Sequence, residues 1–200
     1  MKKLKEFFVV FFVVFLVSGM LTLTAVGDSN SLHTYEILSG PFKVTLDDTL
    51  YTVLVPGMEN NDPAIIRSGI TAEQIDLYLS LSNRELLLLK LGDTVTSDFS
   101  ISIRVKDKKY EDLDLRTLDS LSVRLVFEQL YATFGSDTSN KEIITINGIP
   151  YLKFNWKDEQ RYATILDGDM IYIWGKRANG SLSNEEQALL RHVVESVVYP

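Results

Sequence analysis

Two dipeptides constrain this chain most: Asn147-Gly148 and Asp167-Gly168, each set between two apolar runs. Asn or Asp followed by Gly is the pair that best tolerates positive φ at both centres of a two-residue turn, and such a turn matches the twist of the strands it joins. "IITINGIPYLKFNW" and "RYATILDGDMIYIW" therefore each predict a β-hairpin, giving three to four antiparallel strands in succession. An amphipathic helix follows them. Ser183 and Glu186 stand at capping-box spacing, and Leu189, Leu190, Val193, Val194 and Val197 form its apolar stripe.

Upstream, the apolar period changes between strand and helix. "DFSISIRVKD" alternates, with Phe99, Ile101, Ile103 and Val105 on one side and Ser100, Ser102 and Arg104 on the other, and "RELLLLKL" reads as a second strand. Leu115, Leu118, Leu121, Leu125, Leu130, Tyr131 and Phe134 recur at near-helical spacing up to Gly135. They predict the longest helix, with Asp112 and Asp114 as its caps. Asp62-Pro63 starts a short helix that Gly69 stops. Thr71 and Gln74 open another, whose apolar side is Ile75, Tyr78 and Leu79. Residues 42–46 and 50–55 read as a hairpin turning at Asp47 and Asp48. Hairpins interrupted by amphipathic helices predict an α+β fold, an antiparallel sheet with helices packed on it.

Residues 7–27 carry no charge and follow Lys2, Lys3 and Lys5, the pattern of an export segment. Ala25 and Gly27 are small residues suited to cleavage before Asp28. At about 1.5 Å per residue the same segment is long enough to stay as a membrane anchor. The expectation is thus a signal peptide or N-terminal anchor over 1–27, a polar tether over 28–40 and a domain over 41–200. The domain is extracytoplasmic, either anchored to the cell membrane by residues 7–27 or secreted after cleavage near Gly27. Residues 1–27 hold three lysines and one glutamate, a net +2, so the rest of this −7 chain stands at −9. Such a domain is soluble and is repelled by phosphate backbones, which argues against nucleic acid. The absence of cysteine excludes disulfides, a thiol nucleophile, cysteine zinc sites and lipoprotein processing.

The order of parts, carried by "DPAIIRSGIT", "TINGIPYLKFNW" and "LSNEEQALLRHVVESVVY", resembles the PsbP-like fold over residues 41–199. That fold is first known from the extrinsic protein of photosystem II. The resemblance is closer to exported proteins of unassigned function from Gram-positive bacteria. It implies an αβα sandwich and accessory or binding roles at membranes. Metal-binding residues of the photosynthetic protein have no matching positions here.

Chemistry-bearing motifs are few. The two histidines, His33 and His192, belong to no G-x-S-x-G or H-E-x-x-H pattern, so no catalytic residue is assigned. Glu111, Asp112, Asp114 and Asp119 cluster, but "DLDLRTLD" lacks the glycine and terminal glutamate of a calcium loop, and in the separate cluster of Asp167 and Asp169 the turn explains Asp167. Neither a metal site nor a cofactor is assigned. Asn179-Gly180-Ser181 reads as the loop ahead of the last helix. Aromatic residues concentrate in the hairpins, where Phe154 and Trp156 share a face with Leu152, and Tyr172 and Trp174 share one with Met170. Under helices on both sheet faces they are core. With one face partly open, Tyr151, Trp156, Tyr162, Tyr172 and Trp174 line an apolar groove for a small ligand or a peptide. The expected function is a non-enzymatic binding or accessory module of the bacterial envelope, partnered by a membrane or envelope protein or by that ligand. The alternative is an exported hydrolase that attacks envelope material through paired carboxylates.

Overall fold

The computed structural model describes residues 31–37, 39–40, 42–106 and 110–199. The segment read as an export signal or anchor, and the cleavage expected near Gly27, lie outside the described residues. Among those described, no helix is long and apolar enough to cross a membrane.

In chain order the elements are β1 (Leu32–Glu36), β2 (Lys43–Asp47), β3 (Tyr51–Leu54), α1 (Pro63–Ser68), α2 (Ala72–Ser82), β4 (Leu86–Lys90) and β5 (Phe99–Lys106). A 3₁₀ turn (Leu115–Thr117) and α3 (Ser120–Ala132) lead into β6 (Thr138–Ile146), β7 (Ile149–Trp156), β8 (Glu159–Leu166) and β9 (Asp169–Arg177). Helix α4 (Asn184–Glu195) and β10 (Val197–Val198) come last. The local signals place these boundaries. Asp62 accepts from the Ala64 amide at 2.7 Å, with Pro63 opening α1 and Gly69 ending it at φ 79°. Capping boxes are complete at Thr71 and Gln74 and at Ser183 and Glu186. Asn147 and Gly148 (φ 51° and 78°), like Asp167 and Gly168 (φ 50° and 85°), turn their hairpins in the left-handed conformation.

The described strands form two antiparallel sheets. The larger has the order β3-β4-β5-β9-β8-β7-β6, and the smaller has the order β1-β2-β10. Residues 42–46 and 50–55 do form strands, but not with each other. The turn at Asp47 sends β2 into the small sheet and β3 to the edge of the large one. Both strands bury apolar side chains on different partners, and that burial outweighs the closeness in sequence that favours a hairpin. Strand β1 arises within the stretch read as a tether. It is an edge strand with mostly exposed side chains, so no apolar alternation marks it in the sequence.

The large sheet has two covered faces. On one, α4 and the small sheet pack through Leu190, Val193, Val194, Val44 and Leu46 against Ile101, Ile103, Tyr151, Tyr162 and Ile173. On the other, α1 and α2 cover the β3–β4 end through Ile65, Ile75 and Leu79. Helix α3 covers the β7–β9 end through Val123, Phe127 and Leu130. Full burial of a side chain such as Phe127 contributes about 1.5–3 kcal/mol. Asp119, not Asp112 or Asp114, caps α3, with its carboxylate accepting from the Leu121 and Ser122 amides at 2.9 Å each. Asp114 instead caps the 3₁₀ turn, and Asp112 sits at φ 66°. Tyr78, Leu121 and Leu125, read as members of apolar stripes, are exposed.

Candidate functional site

The site follows from the alternation of β5. Its apolar side enters the core under α4, so Ser102, Arg104 and Lys106 point to the face that α2 and α3 share. Antiparallel register then sets one row across six strands on that face: Leu54, Leu87, Ser102, Trp174, Arg161 and Phe154. The apolar ends of this row lie under helices. Its centre is polar and aromatic, and there a cleft of about 310 Å³ opens near the C-terminal ends of α2 and α3.

Tyr172 and Trp174, both buried, line the cleft with Phe134, which stacks on Phe154 at 4.6 Å between ring centroids. Four cationic side chains line it as well: Arg84, Arg104, Lys106 and Arg161. Glu159 is the carboxylate among the lining residues, and it accepts from Arg161 Nε at 2.8 Å and from Nη2 at 2.5 Å. Two guanidiniums lie within cation–π reach of the Trp174 ring, Arg84 at 5.3 Å and Arg161 at 5.7 Å. Arg84 Nη1 also donates to the Tyr78 hydroxyl at 2.6 Å. Burial pushes the Tyr172 phenol up to about 12, against the pull of Arg161 and Arg104.

Polar satisfaction is incomplete here. Four buried side-chain polar atoms find no partner among the described residues, and three of them are Arg84 Nε, Arg104 Nε and Ser102 Oγ. Each such group costs about 1–3 kcal/mol when left unmade, and two of them, on Arg84 and Arg104, belong to residues that line this cleft. A second cleft of about 900 Å³ adjoins the first and shares Arg84, Arg104 and Lys106 with it. Its carboxylates are engaged, Asp76 by the Gly57 amide at 2.9 Å and Glu85 by the Ser39 hydroxyl.

The expected aromatic set divides between the two faces. Tyr172 and Trp174 line the cleft, and Trp156 stands beside it, 3.9 Å from the Arg161 guanidinium. Tyr151 and Tyr162 lie on the opposite face, buried in the α4 core as an edge-to-face pair at 6.3 Å. Strand alternation puts neighbours such as Tyr151 and Leu152 on opposite sides, so these five residues cannot share one groove. The arginines were not among the expected site residues. The one signal for them is alternation: Arg104 falls on the polar side of β5, opposite Ile101, Ile103 and Val105.

The remaining sequence candidates have local uses. His33 Nδ1 contacts Asp48, which also accepts from the Tyr35 hydroxyl at 2.9 Å. His192 stacks on Tyr51, whose hydroxyl donates to the Leu189 carbonyl at 2.9 Å. Asp114 engages Arg116 through both oxygens, and this ion pair holds its carboxyl below the usual range. Among the described residues no three His, Cys, Asp or Glu side chains converge as a metal site would require. Compared with protein-family models and with curated proteins, the sequence matches none.

Proposed function

We propose that this protein is an extracytoplasmic, non-enzymatic binding module of the bacterial cell envelope, and that the cleft over β5 and β9 is where it binds. The observation that carries this reading is a cleft lined by aromatic rings and cationic side chains at the centre of an otherwise covered sheet face, with two arginine Nε–H donors that the fold leaves unused. Pockets that fix a ligand combine an apolar wall with a few convergent polar groups, and this cleft has both. The uncharged run at residues 7–27 supports placement outside the cytoplasm, held at the membrane or released. The likeness to exported PsbP-like proteins agrees with an accessory role.

A hydrolase would need two carboxyl groups about 5–9.5 Å apart and free to act on a glycosidic bond. Asp76, Glu85 and Glu159 are instead tied to an amide, a hydroxyl and a guanidinium. That supports binding over turnover. The test is to incubate the protein purified from expressing cells with an envelope extract and identify retained small molecules by mass spectrometry. A compound retained by the wild type and lost with Trp174→Ala is the expected result. Consumption of envelope polysaccharide, abolished by Asp76→Asn or Glu85→Gln, would overturn the non-enzymatic reading.

A further inference from the structure

The unused donors of the cleft belong to cations. Arg161 is held by Glu159, and Arg84 gives one N–H to the Tyr78 hydroxyl. The Nε–H groups of Arg84 and Arg104 are buried without an acceptor, and neither residue has a carboxylate partner among the described residues. An arginine presents Nε–H and a neighbouring N–H as a fork that fits the two oxygens of a carboxylate or phosphate. Both arginines line one hollow that Trp174 and Tyr172 also line, and a small turn of either side chain brings its free fork to a ligand there. The chain as a whole carries −7, so a locally cationic cleft is not a by-product of general basicity.

Resting on the binding reading above, we propose that the ligand of this cleft carries a carboxylate or phosphate group, held by Arg84 and Arg104, on a flat apolar body that lies against Trp174 and Tyr172. The rings accept any apolar face, while the guanidiniums demand charge. The adjoining larger cleft reaches the same two arginines and gives room for the rest of a longer molecule.

The probe pair that tests this is phenyl phosphate against benzyl alcohol, which share a ring but not a charge. Both are titrated into the protein as isolated from expressing cells, following the arginine Nε–H resonances by NMR and the tryptophan fluorescence. Phenyl phosphate is expected to shift the Arg84 and Arg104 Nε–H signals saturably, and to bind at least about tenfold more tightly than benzyl alcohol. Arg104→Gln is expected to remove that advantage, with Arg84→Gln as a second variant and Arg104→Lys restoring part of it. Equal binding of the two probes, unaffected by either variant, would overturn the anionic ligand and leave the binding cleft standing. Millimolar additions of both that disturb no cleft resonance would overturn the cleft itself. Displacement of phenyl phosphate by phosphatidylglycerol vesicles would place the anionic group on a lipid, and no displacement would place it on a soluble molecule. Either result keeps the inference.

Discussion

Gly148 and Gly168 hold nearly the same backbone conformation in different surroundings. Around Gly148 no atom lies within 4 Å of the place a Cβ would take. At Gly168 the Tyr110 carbonyl oxygen would stand 3.3 Å away and the Glu111 Cα 3.6 Å. Gly148→Ala should therefore cost only the left-handed conformation, about 1–2 kcal/mol. Gly168→Ala should cost about 1 kcal/mol more, because backbone cannot move aside as a side-chain tip can. Denaturant unfolding of the two variants checks this, and equal losses would show that the Tyr110 contact is not felt. At this scale the sequence was informative: an Asn-Gly or Asp-Gly pair has one good conformation, and it needs no distant partner to adopt it. Arg84, Arg104 and Arg161 were not legible as a group. Each is one polar residue in a strand or its flank, and only the pairing of β5 with β9 and β9 with β8 brings them to one cleft.

Helix α3 shows what the element scale adds. Its spacing was read correctly as helical, but its buried stripe is narrower than the run of leucines implies. Val123, Phe127 and Leu130 are buried, while Leu121 and Leu125 are 66 % and 57 % exposed. A periodic pattern says that a face exists and not how wide the covering sheet is. The start was also misplaced, since three aspartates precede the helix and only geometry decides which one meets free amides. Asp119→Ala is expected to lower the thermal midpoint by a few degrees, and Asp112→Asn to leave it unchanged, because asparagine tolerates the positive φ there. The bonds from Ser122 and Leu121 hold the Asp119 carboxyl below its ordinary range. The cap's contribution is accordingly present above the unfolded value near 4 and fades as pH falls through the depressed one. A thermal scan at neutral and acid pH in both variants measures this, and an Asp119→Ala deficit that persists at low pH would refute it. The β2–β3 hairpin failed for a related reason. Turn chemistry fixes a reversal of direction, whereas the choice of sheet depends on partners about 150 residues distant, as with Val44 and Val197.

Across the whole molecule the two layers of core enclose Tyr51, Tyr151, Tyr162 and Tyr172, and burial raises the phenol of each. A raised value means that the fold favours the neutral phenol. That stabilisation is complete below the unfolded value near 10 and is lost as pH climbs through the folded ones, about 12 for Tyr172. Alkaline unfolding is expected in that window, with tyrosinate absorbance from these residues appearing together with loss of tertiary structure. Absorbance of all nine tyrosines rising before any structural change would contradict it.

Strand β2 has a second consequence. It lies near the beginning of the described residues, and β10, which closes one of its edges, lies near their end. A ribosome makes the chain in order, so Val44 must wait for Val197 throughout synthesis. The small sheet cannot be completed on a growing chain. The domain finishes folding only after nearly all of it has been made.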